Sequence, residues 1–425
     1  MGGGGVKMSK TGTELYEERR KRIFDAIELR KPDRVPIFLE NHLMPAKYYG
    51  MTFEEAYYDQ DKWLEANQKF LRDFEPDMYF SPDAPIITPG PINDLWGTMQ
   101  MKWPGHGVAN NVSFQFVEGE YMKQEEYDHF LDDPSDFLIR VYYPRVFKNL
   151  KDLSLLPSLK IFALGCYGGS VVASLLDNPA IYSAIETMKA AAKTGAEWME
   201  KFMQFAVEMK DEGFVASHTA PIIIPFDLIS DLLRSMRGTM LDMYQCPEKL
   251  LAAEDKLYPF ILDSAIQTAQ MSGNPIIFIP LHRGSDGFMS IEQFEKFYWP
   301  YLKNIILDLI KAGLTPMPFF EGTYDQRLKY LAELPKGKIL GVFDRSDLVK
   351  VKEVLKDTMC ISGGMPIALL QTGTKEIVKE QAKKMIDVVG KDGGFIMNSS
   401  TVLDEAKPDL VKFWVEFTKE YGVYR

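Results

Sequence analysis

Three of the five histidines in the chain, His42, His218 and His282, each follow a short apolar run. Carboxylates and an amide stand in similar places. Asp83 follows the run ending in Phe80, Glu321 follows MetProPhePhe, Asp344 follows LeuGlyValPhe, and Asn398 follows PheIleMet. Imidazole titrates near neutral pH, and a partly desolvated carboxylate is pushed upward toward it, so these residue types together suit proton transfer. Glu321 is the sharpest candidate, because its apolar lead-in and the following Gly322 let the carboxylate emerge partly desolvated, as a proton donor requires. A salt bridge to Arg283 or Arg345 is the alternative. We take Glu321, His282 and Asp344 as candidate catalytic residues, and His42, Asp83, His218, Arg283 and Asn398 as candidate substrate-binding residues. Asp83 and Asp344 have a plainer reading, as loop caps or partners of a neighbouring arginine. His218, His282 and Glu321 are also suitable ligand types for zinc, although no local ligand spacing marks a metal site.

Residues so far apart must be brought together by the fold. The chain alternates short β-branched runs with amphipathic stretches, the pattern of a parallel sheet with crossover helices. Strands are predicted at 34–40, 77–80, 213–218, 275–280, 314–320, 338–342, 358–362 and 393–398, each running into polar residues. The expected fold is an α/β (β/α)₈ TIM barrel, whose catalytic groups come from the C-terminal strand ends. Helices are expected at 14–29, 52–74, 180–211 (one helix or two end to end), 324–334, 347–356, 374–389 and 407–421. Ser290 and Gln293 form a capping box, with Met289 and Phe294 placed as a hydrophobic staple. Residues 99–122 read as a β-hairpin insertion, and 125–169 as helical stretches ending in a glycine-rich loop or lid. Gly363 and Gly364 predict a tight turn with exposed N–H groups. We expect a disordered leader over 1–12, then one barrel domain over 13–425 with an insertion at about 98–170.

Composition narrows the function. Hydrophobic residues make up 46% and charged residues 26%, an ordinary globular balance, and the net charge of −11 argues against nucleic acid. The three cysteines are dispersed and form no CxxC pair, which fits a reducing cytoplasm. No apolar run is long enough to span a membrane.

The segment ArgLysArgIlePheAspAlaIleGluLeuArgLysProAspArgValProIle, PheGluProAspMetTyrPheSerProAsp, the block at 290–302, ProPhePheGluGly and PheIleMetAsnSerSer occur in this order. In that order they resemble the uroporphyrinogen decarboxylase superfamily, which includes corrinoid-dependent methyltransferases. The resemblance implies the same barrel, and a homodimer is compatible with it. Two departures bear on function. The arginine-rich loop by which the decarboxylases bind substrate carboxylates is here GluAsnHisLeuMetPro. The places of the His-x-Cys and later Cys that bind zinc in thiol-directed methyltransferases are here Phe319, Glu321 and Ser400.

What the resemblance then implies is a methyltransferase moving a methyl group from a small methylated ether or amine to a corrinoid on a partner protein, with zinc a further possible cofactor. Glu321 or His282 would protonate the leaving heteroatom. A decarboxylase or other lyase acting on a carboxylic acid is the alternative, and a non-catalytic family member is the third reading.

Overall fold

The computed structural model describes residues 10–219 and 221–425. Most of the expected leader lies outside these residues. Helix α1 (Gly12–Ile27) already begins at Gly12, with Thr11 and Glu14 closing a capping box. Strands β1 (Phe38–Leu39), β2 (Met78–Tyr79) and β3 (Val215–Ala216) form a three-stranded parallel sheet. Strands β4 (Ile276–Leu281), β5 (Thr315–Phe320), β6 (Leu340–Phe343), β7 (Cys360–Met365) and β8 (Phe395–Ser399) form a five-stranded parallel sheet. The chain is thus an α/β protein with parallel sheets. The ladders stop short of one continuous sheet, and single parallel bridges, Ile37 to Met397 and Pro221 to Phe278, join the two sheets at both edges.

Each predicted strand overlaps an observed one. The main connecting helices are α2 (Gln60–Phe74), α3 (Pro179–Asp211), α4 (Pro247–Ser272), α5 (Trp299–Lys311), α6 (Leu348–Leu355), α7 (Lys375–Val388) and α8 (Pro408–Tyr421). The capping box at Ser290 and Gln293 is present. α3 is one unbroken helix of 33 residues. α4 was not anticipated; it runs for 26 residues with Pro259 inside it. In the insertion, Met101 and Lys102 pair antiparallel with Phe116 and Gln115, as a hairpin requires. The glycine-rich stretch expected as a loop leads instead into a helix, Cys166–Leu175. No helix of the described residues is long and apolar enough to cross a membrane.

One buried cluster takes side chains from all eight strands of the two parallel sheets: Phe38, Met78, Val215, Ile276, Met317, Leu340, Val342, Cys360 and Ile396. Ile23, Ala26 and Ile27 of α1 belong to the same cluster. Because Ile276, Leu340 and Cys360 open their strands, α1 covers the N-terminal strand ends. Polar chemistry is left to the opposite ends.

Asp77 ties this closed end together. Fully buried before β2, it accepts hydrogen bonds from Arg22 of α1 at 2.6 Å, from both terminal nitrogens of Arg34 at 2.7 and 2.9 Å, and from the Ile37 amide at 2.8 Å. Burial alone would raise its pKa, but the charges of Arg34 and Arg22 outweigh burial and lower it. Removing one member of a buried ion network strands the others, at a cost of about 3–5 kcal/mol. Asp77→Ala should lose that much stability in urea unfolding, and a loss below about 1 kcal/mol, the worth of a surface pair, would contradict the assignment. Because the folded pKa is depressed, the stabilisation is present above the unfolded value of about 3.9 and fades as pH falls through the folded one.

Candidate active site

Strand register builds the site. β4 and β5 pair from Ile276 with Thr315 to Leu281 with Phe320, so the next residues, His282 and Glu321, emerge side by side. β5 and β6 pair Phe320 with Phe343, which sets Asp344 next to Glu321. A slip of one residue would turn these side chains to the other face. Glu321 Oε1 lies 3.6 Å from His282 Nε2. The expected alternative of a salt bridge to Arg283 or Arg345 is not what forms.

The remaining anchors come from a helical segment after β3, Pro225–Leu228 continuing as a π turn over Ile229–Arg234. Asp227, fully buried, accepts the His282 amide at 2.8 Å, the Arg283 amide at 3.1 Å and the Tyr298 hydroxyl at 2.8 Å. One helical turn later, Asp231 accepts from His282 Nδ1 and, at 2.8 Å, from the Arg283 guanidinium. Ser230 takes the Arg283 Nε hydrogen at 3.0 Å. Gly284 follows where a side chain would not fit, since a Cβ there would stand 2.4 Å from the Tyr298 ring and 2.7 Å from the Tyr324 hydroxyl.

Electrostatics follow from these contacts. Burial works against a charged His282, but the hydrogen bond to Asp231 and the nearby Asp227 and Glu321 outweigh it and push the imidazole up to about 9. Asp227 is pushed up to about 6, chiefly by burial and against the charge of His282. Glu321 is raised, again by burial first, although 41% of its side-chain surface remains open. Asp344 is raised by burial and accepts the Gly322 amide at 3.1 Å, with Gly322 at φ +79° allowing the tight exit from β5. Arg345, which is 79% exposed, lies 3.5 Å from Asp344.

The other predicted residues divide. Asn398, buried in β8, donates to Glu40 Oε1 at 2.5 Å. Glu40 directly follows β1, and its burial cannot be read from residue type. His42 turns away to Asp404, its Nδ1 2.8 Å from Oδ2, and pins the loop after β1 to the loop after β8. His218 is wedged between Phe80 and Phe278, with ring centroids at 5.3 and 5.1 Å, and burial drives it down to about 4. Its Nδ1 contacts Ser217 Oγ at 2.8 Å. Asp83 lies in the turn after β2 with its carboxyl raised by burial.

The three candidate zinc ligands do not come together. Among the described residues no three His, Cys, Asp or Glu side chains gather as a metal site, so His218, His282 and Glu321 do not form a ligand set. The turn expected at Gly363 and Gly364 is likewise corrected, because β7 runs through both glycines and they stand opposite Met397 and Asn398 in the ladder. Two open clefts elsewhere, one beside Lys391 and Tyr424 and one beside Glu17 and Arg30, contain none of these residues.

The family model described as Uroporphyrinogen decarboxylase (URO-D) matches residues 177–421, more than half of the chain. The chain belongs to the uroporphyrinogen decarboxylase family. The matched region contains Asp227, Asp231, His282, Glu321, Asp344 and Asn398, whereas Glu40 precedes it. A uroporphyrinogen decarboxylase from Rickettsia felis is 32% identical over 139 residues, which is 32% of this chain and only 39% of that protein. The solved structure of a methyltransferase from Methanosarcina mazei aligns over 95% of this chain and 98% of its own, with a TM-score of 0.62 at 14% identity. This second likeness is one of fold.

The imidazole charge gives a direct test. Nitrogen NMR of the His282 ring should show it doubly protonated at pH 7.5, with its titration returned toward the ordinary value of about 6.5 in Asp231→Asn. The sign for stability follows. With the folded pKa raised, the contribution of His282 is complete below about 6.5 and lost as pH rises through about 9. A neutral ring at pH 7.5 would overturn the network.

Proposed function

We propose that the parallel strands act as one (β/α)₈ barrel domain, and that its mouth transfers a methyl group from a small methylated compound to a corrinoid carried by a partner protein. The observation that carries this reading is the state of Arg283. A decarboxylase of a polycarboxylic substrate needs free cations at the mouth, and Arg283 is already held by Asp231 and Ser230. Asp227, Asp231 and Glu321 lie around it, and Arg345, the next exposed cation, stands 3.5 Å from Asp344. The full-length fold likeness to a protein titled a methyltransferase supports the same direction.

Methyl transfer leaves electron density on the heteroatom that loses the methyl group. His282, held by Asp231 and through its backbone by Asp227, presents its Nε2 side as the donor where that density grows, with Glu321 3.6 Å away orienting it. Asp344 fixes the Gly322 exit and so the direction of Glu321. No ligand for the corrinoid is assigned to this chain, because the corrinoid arrives with the partner.

Glu321→Gln should fold normally by circular dichroism and lower methyl transfer from guaiacol or trimethylamine to free cob(I)alamin by about 100-fold or more. Unchanged turnover would remove Glu321 from the chemistry. Release of carbon dioxide from an added carboxylic acid, in place of methyl transfer, would favour the lyase reading.

A further inference from the structure

Glu40 has a hydrogen-bonding capacity that no contact among the described residues uses. Its residue is 2% exposed, its Oε1 receives Asn398 Nδ2, and its Oε2 is buried with no hydrogen-bond partner among the described residues. The amide of Asn398 is oriented by Ser399, whose hydroxyl donates to its Oδ1 at 3.3 Å, so the NH₂ group is the one that faces Glu40. No lysine, arginine or histidine of the described residues pairs with Glu40, and the charges that act on it are the carboxylates Asp344 and Glu321. A buried carboxylate with one hydrogen bond and like charges nearby is better off neutral. Burial accordingly pushes it up to about 8, against the hydrogen bond from Asn398 and with help from Asp344 and Glu321.

A neutral carboxyl carries one O–H donor. Since Oε1 accepts from Asn398, the proton belongs on Oε2, the atom without a partner. A buried donor without an acceptor is costly, and a substrate that brings a lone pair removes that cost. The other acid–base group nearby, His282, holds its Nδ1 proton on Asp231, and its Nε2 stands 3.6 Å from Glu321, beyond hydrogen-bond length.

We propose that Glu40 is the proton donor of this site and that its substrate class is a methyl ether. The proposal rests on the methyl-transfer reading above. As the C–O bond breaks, its electron pair stays on oxygen and the methyl group passes as a cation equivalent to a two-electron nucleophile, the reduced corrinoid of the partner. The proton on Glu40 Oε2 moves to that oxygen, giving an alcohol or phenol and leaving Glu40 ionised until water returns the proton. An ether needs this proton because an alkoxide or phenoxide is a poor leaving group. A quaternary methylammonium does not, since it departs as a neutral amine and is held best by an ionised carboxylate.

Two measurements test this on the full chain with guaiacol as the ether probe and tetramethylammonium as the contrast. In infrared difference spectra at pH 7, the protonated carboxyl band that is lost in Glu40→Gln, as distinct from any band of the buried Glu254, should shift to lower frequency when guaiacol is added. With free cob(I)alamin as acceptor, the wild type should demethylate guaiacol and not tetramethylammonium, and Glu40→Gln should slow the guaiacol reaction by about 100-fold. A band that ignores guaiacol, or a Glu40→Gln protein that demethylates it at the wild-type rate, overturns the donor role. Preference for tetramethylammonium overturns the substrate class while leaving methyl transfer standing. If neither compound transfers a methyl group, the methyl-transfer reading fails, and the infrared response alone decides whether Glu40 donates. Should Glu40→Gln not fold, Glu40→Asp draws the acid back by one methylene. It should keep the band and lose its response to guaiacol, and a retained response overturns the assignment.

Discussion

The arrangement of the mouth depends on one buried carboxylate. Asp227 holds the amides of two successive residues, His282 and Arg283, together with the hydroxyl of Tyr298. A carboxylate in the interior is tolerated only when its oxygens are satisfied, and these three donors do that. The consequence is geometric. With its backbone fixed as it leaves β4, the His282 ring has Asp231 on one nitrogen and Glu321 on the other. Gly284 is part of the same constraint, because any side chain there would displace Tyr298 or Tyr324.

From this anchoring comes a division of proton states among neighbouring groups. His282, surrounded by carboxylates, keeps its charge at neutral pH. Glu40, buried and without a cation, keeps its proton. His218, enclosed by aromatic rings, stays neutral in the opposite sense. Groups whose environments push their pKa values apart mark where acid and base roles can be assigned. Arg283 contributes little free positive charge, since Asp231 takes it up. The site is therefore suited to polarising and protonating a leaving group, and poorly suited to gripping several carboxylates.

Much of the frame was legible in the sequence. Short β-branched runs ending in polar residues marked the strands, because buried parallel strands need continuous apolar character and their ends need not. The pairing of His282 with Glu321 followed once β4 and β5 were in register. The anchors were not legible. Asp227 and Asp231 lie on a helical segment between strands, where an acidic residue looks like an ordinary solvated side chain. α4 carries a proline in its interior, which ordinarily argues against a helix. His42 and His218 matched the strand-end pattern as well as His282 did, and only their partners, Asp404 for one and two phenylalanines for the other, separate them from it. Glu40 shows the same limit, since the lack of a partner at Oε2 is a property of packing and not of residue type.

The central claim is that this mouth moves a methyl group. The most direct measurement follows the carbon itself, by carbon NMR of guaiacol labelled in its methyl group, incubated with the protein and cob(I)alamin. The account predicts that the label leaves oxygen and appears bound to cobalt, with catechol formed in equal amount. A label that stays on oxygen, while the same protein releases carbon dioxide from a carboxylic acid substrate, would contradict it.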